Sequence, residues 1–257
     1  MSIPSVSLED KVAIVTGGKG GIGKAIALAF AEAGAGVIVC GRTVEDGELQ
    51  TVADQIQRLG RHSLAIKADI SRKADVDNLV QKVMDEFGGI DILVNNAAID
   101  IRMPLLGLSE NDWDKVIDVN LRGYYLCCQA AGRRMVEGKK GGNIINMASQ
   151  LAFRAVAKLG AYCISKAGVV MLTRVLAREL GNYSIRVNAI APSLVRTELG
   201  RPSWGDPEAL KLAESAIPLG GRIAEPRDIV GAALFLACDA SSYITGHTIL
   251  VDAGTNA

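Results

Sequence analysis

Tyr162 and Lys166 stand four residues apart, and Ser149 precedes the tyrosine by thirteen. Residues at i and i+4 share one face of a helix. A free phenol titrates near ~10, which makes it a poor base at neutral pH. An ammonium one helical turn away stabilises the phenolate and lowers that value. The pair suits proton transfer to or from a substrate oxygen, with the Ser149 hydroxyl placed to hold that oxygen. A tyrosine four residues before a lysine occurs in many helices, so the chemistry depends on what surrounds the pair.

The surroundings begin at a glycine-rich turn, Thr16-Gly17-Gly18-Lys19-Gly20-Gly21-Ile22-Gly23, between an aliphatic run and a helical pattern. Gly18, Gly20 and Gly23 satisfy G-x-G-x-x-G, a weak match alone and a stronger one in a strand-turn-helix context. Such a turn lets backbone amides approach a pyrophosphate. The helix N-terminus that follows adds unpaired donors and positive dipole. In NAD binders an acidic residue about 20 positions further on bonds the adenosine ribose. Here that place holds Cys40-Gly41-Arg42-Thr43. A guanidinium binds a 2′-phosphate that a carboxylate would repel. Arg42, with Lys19 in the turn, favours NADP(H) over NAD(H) as cofactor.

Aliphatic runs alternate with amphipathic patterns along the chain. Strands are read at 12–15, 37–40, 63–68, 90–94, 143–147, 185–190 and 247–251. Helices are read at about 22–34, 45–59, 76–87, 110–136 and 161–180, with another after Pro226. Strand-helix alternation implies right-handed crossovers and a parallel sheet. The fold class is therefore α/β: a single doubly wound Rossmann domain over residues 1–257, with a seven-stranded parallel sheet and helices on both faces. Ligands of such sheets sit beyond the carboxyl ends of the strands. Ser149, just past the fifth strand, and the glycine turn, just past the first, face one crevice. Residues 193–221, where Pro192 just before them and Pro202, Pro207 and Pro218 within them interrupt any regular element, read as a lid-like surface excursion.

The 257 residues are 49% hydrophobic but only 4% aromatic, so the core is built from Ala, Val, Ile and Leu, as a covered parallel sheet requires. Lys+Arg and Asp+Glu both total 28, and there is no polybasic run. Nucleic acid and anionic membranes therefore have no electrostatic footprint to bind. Five cysteines without a C-x-x-C read as free thiols of a reducing compartment, with no metal site. The N-terminal stretch lacks a basic segment followed by an apolar run. No uncharged apolar stretch reaches the ~18 residues of a membrane helix. These features point to a cytoplasmic protein whose partners are a small molecule and further copies of itself.

On these residues the chain resembles the short-chain dehydrogenase/reductase family along nearly its whole length, in particular 3-oxoacyl-acyl-carrier-protein reductases and related sugar or steroid dehydrogenases. The family's Thr-Gly-x-x-x-Gly-x-Gly turn is met by Thr16, Gly17, Gly21 and Gly23. Its N-N-A-G segment is met by Asn95-Asn96-Ala97-Ala98, and its Ser, Tyr and Lys by Ser149, Tyr162 and Lys166. The resemblance implies that Asn120 completes the catalytic set, supporting a water on the proton path from Lys166. It implies cofactor contacts from Gly17, Lys19, Gly20, Gly21, Ile22 and Gly23 in the turn, Arg42 at the 2′-phosphate, and Asp69 and Ile70 at the adenine. Asn96 and Ala97, then Pro192, Val195 and Thr197 at the nicotinamide, and Tyr162 and Lys166 at its ribose complete that set. Ala98 and Ser193 replace usual glycines and add a Cβ near the cofactor. Family members commonly pair the helices equivalent to 110–136 and 161–180, which implies a homotetramer through residues such as Leu126, Cys127, Ala130, Ala131, Val169, Leu172 and Leu176.

The implied reaction is interconversion of a ketone and a secondary alcohol by hydride transfer, first read as carbonyl or 3-oxoacyl reduction. The alternative is a sugar, polyol or hydroxysteroid dehydrogenase working in the oxidation direction. Two other classes fit less well. A dinucleotide-binding regulator without turnover would lack the Tyr or the Lys. A methyltransferase would lack the pair and keep an acid at the end of strand two. The substrate is expected among Gln150, Leu151, Phe153, Arg102, Arg154 and the excursion, while His62 and His247 read as structural.

Overall fold

Strands without polar alternation need cover on both faces. The computed structural model, which describes residues 6–43 and 45–257, meets that need. Residues 1–5, part of the stretch read for a leader, and Val44 lie outside the described residues. The strands are β1 (Val12–Thr16), β2 (Gly36–Gly41), β3 (Ser63–Lys67), β4 (Ile92–Asn95), β5 (Gly142–Met147), β6 (Ile185–Pro192) and β7 (Thr248–Val251). The helices are α1 (Gly21–Glu32), α2 (Glu48–Arg58), α3 (Lys73–Phe87), α4 (Glu110–Ile117), α5 (Gly123–Gly138), α6 (Gly160–Leu180), α7 (Pro207–Ser215) and α8 (Pro226–Ala237).

All seven strands pair in parallel in the order β3-β2-β1-β4-β5-β6-β7. Side chains alternate between the faces of each strand, which divides the core in two. Ala13, Val15, Val37 and Val39 pack with Ile26, Phe30, Val52, Ile56, Ile229 and Leu236 of α1, α2 and α8. Ile14, Ile38 and Cys40 turn the other way, towards Leu79, Val83, Ala131 and Val169 of α3, α5 and α6. The chain winds outward in one direction from β1 and in the other from β4. The loops leaving these neighbours diverge and open a crevice at the carboxyl edge of the sheet.

Three elements differ from the sequence reading. The helix read from 45 starts at Glu48, because the Asp46 carboxylate accepts from the Glu48 amide at 3.1 Å and turns the chain first. The helix read over 110–136 is α4 and α5 joined by a π-helical segment, Asp118–Arg122. The excursion over 193–221 contains α7, capped by the Asp206 carboxylate on the amides of Glu208 and Ala209. Pro207 starts that helix rather than interrupting it, since the first helical position needs no amide donor.

Four of the interface residues expected on α5 and α6 are buried within the chain itself. Leu126, Cys127, Ala131 and Val169 are buried within the chain, and Ala130, Leu172 and Leu176 pack against the same core. Tyr125, Ile164, Met171 and Val175 are the large apolar side chains these helices leave exposed. The segment Gly160–Tyr183 is long and apolar enough by length and composition to cross a membrane. It carries Lys166, Arg174 and Arg178, and Val169, Val170 and Ala177 pack it onto the sheet.

Candidate active site

The glycine turn is held by the strand beside it. Thr16 Oγ1, fully buried at the end of β1, accepts from the amides of Asn96 (2.9 Å) and Ala97 (3.1 Å). Asn96 Nδ2 donates in return to the carbonyls of Thr16 (2.9 Å) and Gly17 (3.2 Å). Gly17 has φ +66, and a Cβ there would lie 2.9 Å from Ala97 Cα. A Cβ on Gly23 would lie 2.4 Å from the Gly17 carbonyl, so α1 can come this close to the turn only through glycine. These are the Thr-Gly-x-x-x-Gly-x-Gly positions. Gly20, from the G-x-G-x-x-G match, has open space around it.

The first turn of α1 has no side-chain cap and no acidic residue, so its amide donors are left for an anion. This geometry fits a dinucleotide pyrophosphate. A cleft of about 900 Å³ runs from the turn past Arg42, Asp69 and Ile70 to Asn96 and Ala97. It continues to Ser149, Tyr162 and Lys166, with Pro192, Val195 and Thr197 along its other wall. Gly17, Lys19, Gly20, Gly21 and Ile22 form its floor, while Gly23 and Asn120 stand behind the lining residues.

At the adenosine end, Lys19 is engaged by Asp46 (3.1 Å) and Glu48 (3.0 Å), and these carboxylates hold its pKa above the usual lysine value. Arg42 is exposed and makes no hydrogen bond or ion pair with another described residue. Of the two cations, Arg42 is therefore the one available to a phosphate. Asp69 Oδ1 is occupied by the amide and hydroxyl of Ser71.

At the other end, Ser149 Oγ accepts from the Leu151 amide at 3.1 Å, and the hydroxyl also bonds Tyr162. Lys166 is 1% exposed and donates to the Met147 carbonyl at 2.6 Å and to Tyr124 Oη at 3.3 Å. Its Nζ lies 5.7 Å from the centre of the Tyr162 ring. Burial pushes the Tyr162 phenol up to about 12, against the opposing pull of the Ser149 hydrogen bond. Burial also pushes the Lys166 ammonium down to about 7. The lowering of the phenol expected from the helical spacing is not found: burial of Tyr162 sets the direction, and the Lys166 ammonium donates to the Met147 carbonyl rather than to the tyrosine.

Asn120 sits in the π-helical segment, where the wider turn aims its side chain back at the chain leaving β4. Its Oδ1 accepts from the Ile99 amide at 2.9 Å. Its Nδ2 donates to the Ile99 carbonyl (2.8 Å) and to Ser165 Oγ (3.1 Å). Ser165 in turn donates to the Tyr162 carbonyl at 2.7 Å. The side chain of Asn120 therefore ties the β4 loop to α6. Sequence reasoning missed Tyr124, Ser165 and the Met147 carbonyl. Ser165 carried a signal, its i+3 spacing from Tyr162, whereas Tyr124 read as helix packing.

A family model described as enoyl-(acyl carrier protein) reductase matches residues 17–256. The chain belongs to the short-chain dehydrogenase/reductase family. It is 40% identical over 248 residues to an NAD-dependent glycerol dehydrogenase of Listeria innocua, covering 96% of this chain and 94% of that one. It is 43% identical over 249 residues to a D-threitol dehydrogenase of Mycolicibacterium smegmatis, covering 96% and 93%. The crystal structure of a gluconate 5-dehydrogenase from Burkholderia cenocepacia, in complex with NADP and tartrate, superposes with a TM-score of 0.92 at 32% identity, covering 97% and 96%. As a short-chain dehydrogenase/reductase, the protein is an oxidoreductase of alcohols and ketones that uses a nicotinamide cofactor. The relatives match the sugar and polyol alternative better than the first reading of 3-oxoacyl reduction.

In the substrate half of the cleft the structure places Arg102, Gln150, Leu151 and Arg154, while Phe153 points away and is 48% exposed. Arg102 is tied to Asp100 (3.2 Å) and to Ser203 of the excursion (2.8 Å).

A phenol held protonated through the neutral range donates a proton before it can accept one. Alcohol oxidation, which needs the phenolate, is therefore expected to rise from about pH 7 to about pH 10. Rates at saturating cofactor and alcohol across that range check this, and a flat profile would show that Tyr162 is not the base.

Proposed function

We propose that this short-chain dehydrogenase/reductase oxidises a polyol or sugar alcohol to the ketone, with NADP⁺ taking the hydride to become NADPH. The observation that carries the substrate class is the polar wall around Ser149 and Tyr162. Asp100, Arg102, Gln150, Arg154, Ser203 and Thr255 line the cleft there and offer hydrogen bonds to a polyhydroxylated molecule. The glycerol and threitol dehydrogenases among its relatives support the same class.

In this reading Ser149 holds the reacting oxygen. Tyr162 takes the hydroxyl proton during oxidation and returns it during reduction. Lys166 stabilises the phenolate that forms, and Asn120 keeps α6 in register with the loop after β4. The amides opening α1 bind and orient the pyrophosphate, Thr16 and Asn96 hold the glycine turn in shape behind them, and Pro192, Val195 and Thr197 flank the nicotinamide. The bound nicotinamide supplies the hydride acceptor or donor. All of this falls within one catalytic domain spanning 1–257, placed in the cytoplasm, where five free cysteines stay reduced.

A second reading has one observation in its favour. Leu151, Val156, Leu159, Ala213, Ala216 and Ile217 give the same cleft an apolar side that suits an acyl chain. Glycerol, D-threitol, galactitol, gluconate and a 3-oxoacyl thioester, each assayed at the nicotinamide absorbance band, separate the two. Turnover of a polyol or sugar acid is expected, and Tyr162→Phe should lower it by ~10²–10⁴-fold. Turnover of the thioester alone would overturn the polyol reading, and near-parental rates in Tyr162→Phe would remove that residue as the acid/base group.

The cofactor preference rests on Arg42. One charge-assisted bond to the 2′-phosphate is worth ~1.5–3 kcal/mol, or roughly tenfold or more in affinity. A side chain fits at Gly41, where a Cβ would meet only Leu49 at 3.8 Å. The double variant Gly41→Asp, Arg42→Ile should weaken NADPH and strengthen NADH. Dissociation constants by fluorescence quenching read both, and a parent that prefers NADH would sink this assignment.

A homotetramer is proposed through α5 and α6. Ile164, Met171 and Val175 make an exposed helical stripe beside Tyr125. Light scattering at micromolar concentration should give four times the 27.0 kDa chain mass, and a monomer mass would refute the assembly.

A further inference from the structure

Lys166 is a buried cation without a counter-ion. Among the described residues it forms no ion pair, and no carboxylate contributes to its titration. Removing an ammonium from water is costly unless other groups replace its hydration. An ammonium has three donors to satisfy. The Met147 carbonyl takes one at 2.6 Å. The second contact is the phenol of Tyr124, the largest fully buried side chain among the described residues, carried on α5. Its Oη lies 3.3 Å from Nζ, and its ring centre lies 4.9 Å away, within cation–π range. The Tyr124 hydroxyl donates its own hydrogen to the Met147 carbonyl at 3.4 Å, which leaves its lone pairs facing the ammonium. Three groups from three elements, Lys166, Tyr124 and Met147, thus close into one polar cluster inside an otherwise aliphatic layer.

We propose that Tyr124 is the positioning residue for Lys166: its hydroxyl and ring face hold the ammonium charged and in place at the base of the cleft. The proposal rests on Lys166 being the ammonium that serves Tyr162. Burial holds the Tyr124 phenol far above its usual value, so it stays neutral and acts as acceptor throughout the working range. The titratable groups facing the cluster are Cys127 and Cys128 on α5, Tyr162 and Cys163 on α6, and Asp100 in the loop after β4. Burial holds Cys127 and Cys128 in the thiol form, and neither replaces the phenol as a partner for the ammonium.

Tyr124→Phe keeps the ring and its volume and removes only the hydroxyl. Protein carrying ¹³C-labelled lysine reports the Lys166 titration by NMR, with the signal assigned by its loss in Lys166→Met. The Lys166 midpoint should fall in Tyr124→Phe by roughly one to two pH units, the scale of one lost charge-assisted hydrogen bond. The midpoint is a property of the folded molecules only, so partial destabilisation leaves it readable. A midpoint that stays or rises overturns the proposal. A purely structural role would alter melting temperature without moving the midpoint. The catalytic arm follows ketone reduction, which needs the charged ammonium and fades as pH rises through the Lys166 midpoint. Its alkaline limb should move down in Tyr124→Phe by the same amount. A lysine midpoint that falls while that limb stays would leave the Tyr124 contact standing and overturn the assignment of Lys166 to Tyr162.

Discussion

The site depends on the reversal of winding between β1 and β4. At that boundary two parallel strands end side by side and their chains leave in opposite directions, so the backbone groups there lose the ladder that would satisfy them. Unpaired buried backbone groups are costly. Thr16 and Asn96 satisfy them reciprocally, hydroxyl to amides and carboxamide to carbonyls. The clamp fixes the glycine turn in the tight form that exposes the amides of α1. It also sets where the chain runs after Asn96, and hence the Ile99 backbone that Asn120 grips. The glycine-turn end and the Tyr162 end of the cleft are therefore aligned by one set of neutral hydrogen bonds.

The proton-transfer end shows how position outweighs spacing. A tyrosine and a lysine on one helical face do not by themselves make an activated phenol. Both are buried, and desolvation penalises each charged form, raising the tyrosine and lowering the lysine. Which group receives the ammonium then decides the chemistry. The Met147 carbonyl and Tyr124 hold it.

At the adenosine end the charges are nearly balanced. Lys19 faces Asp46 and Glu48, and Lys67 faces Glu45, whereas Arg42 makes no ion pair with another described residue. Exposed pairs of this kind contribute little to stability.

The aliphatic runs, the glycine turn and the Tyr–Lys spacing were legible because each records a local requirement: burial on both faces, close backbone approach, and helical periodicity. They determined the parallel sheet, the cleft at its carboxyl edge and the family. The π-helical turn at Asn120, the start of α7 at Pro207, the engagement of Lys19 by acidic neighbours and the seat of Lys166 against Tyr124 were not legible. Each depends on which segments far apart in the chain meet in space. A buried aromatic on α5 looks the same in sequence whether it fills a core or faces an ammonium, and only packing α5 against α6 and the end of β5 decides which.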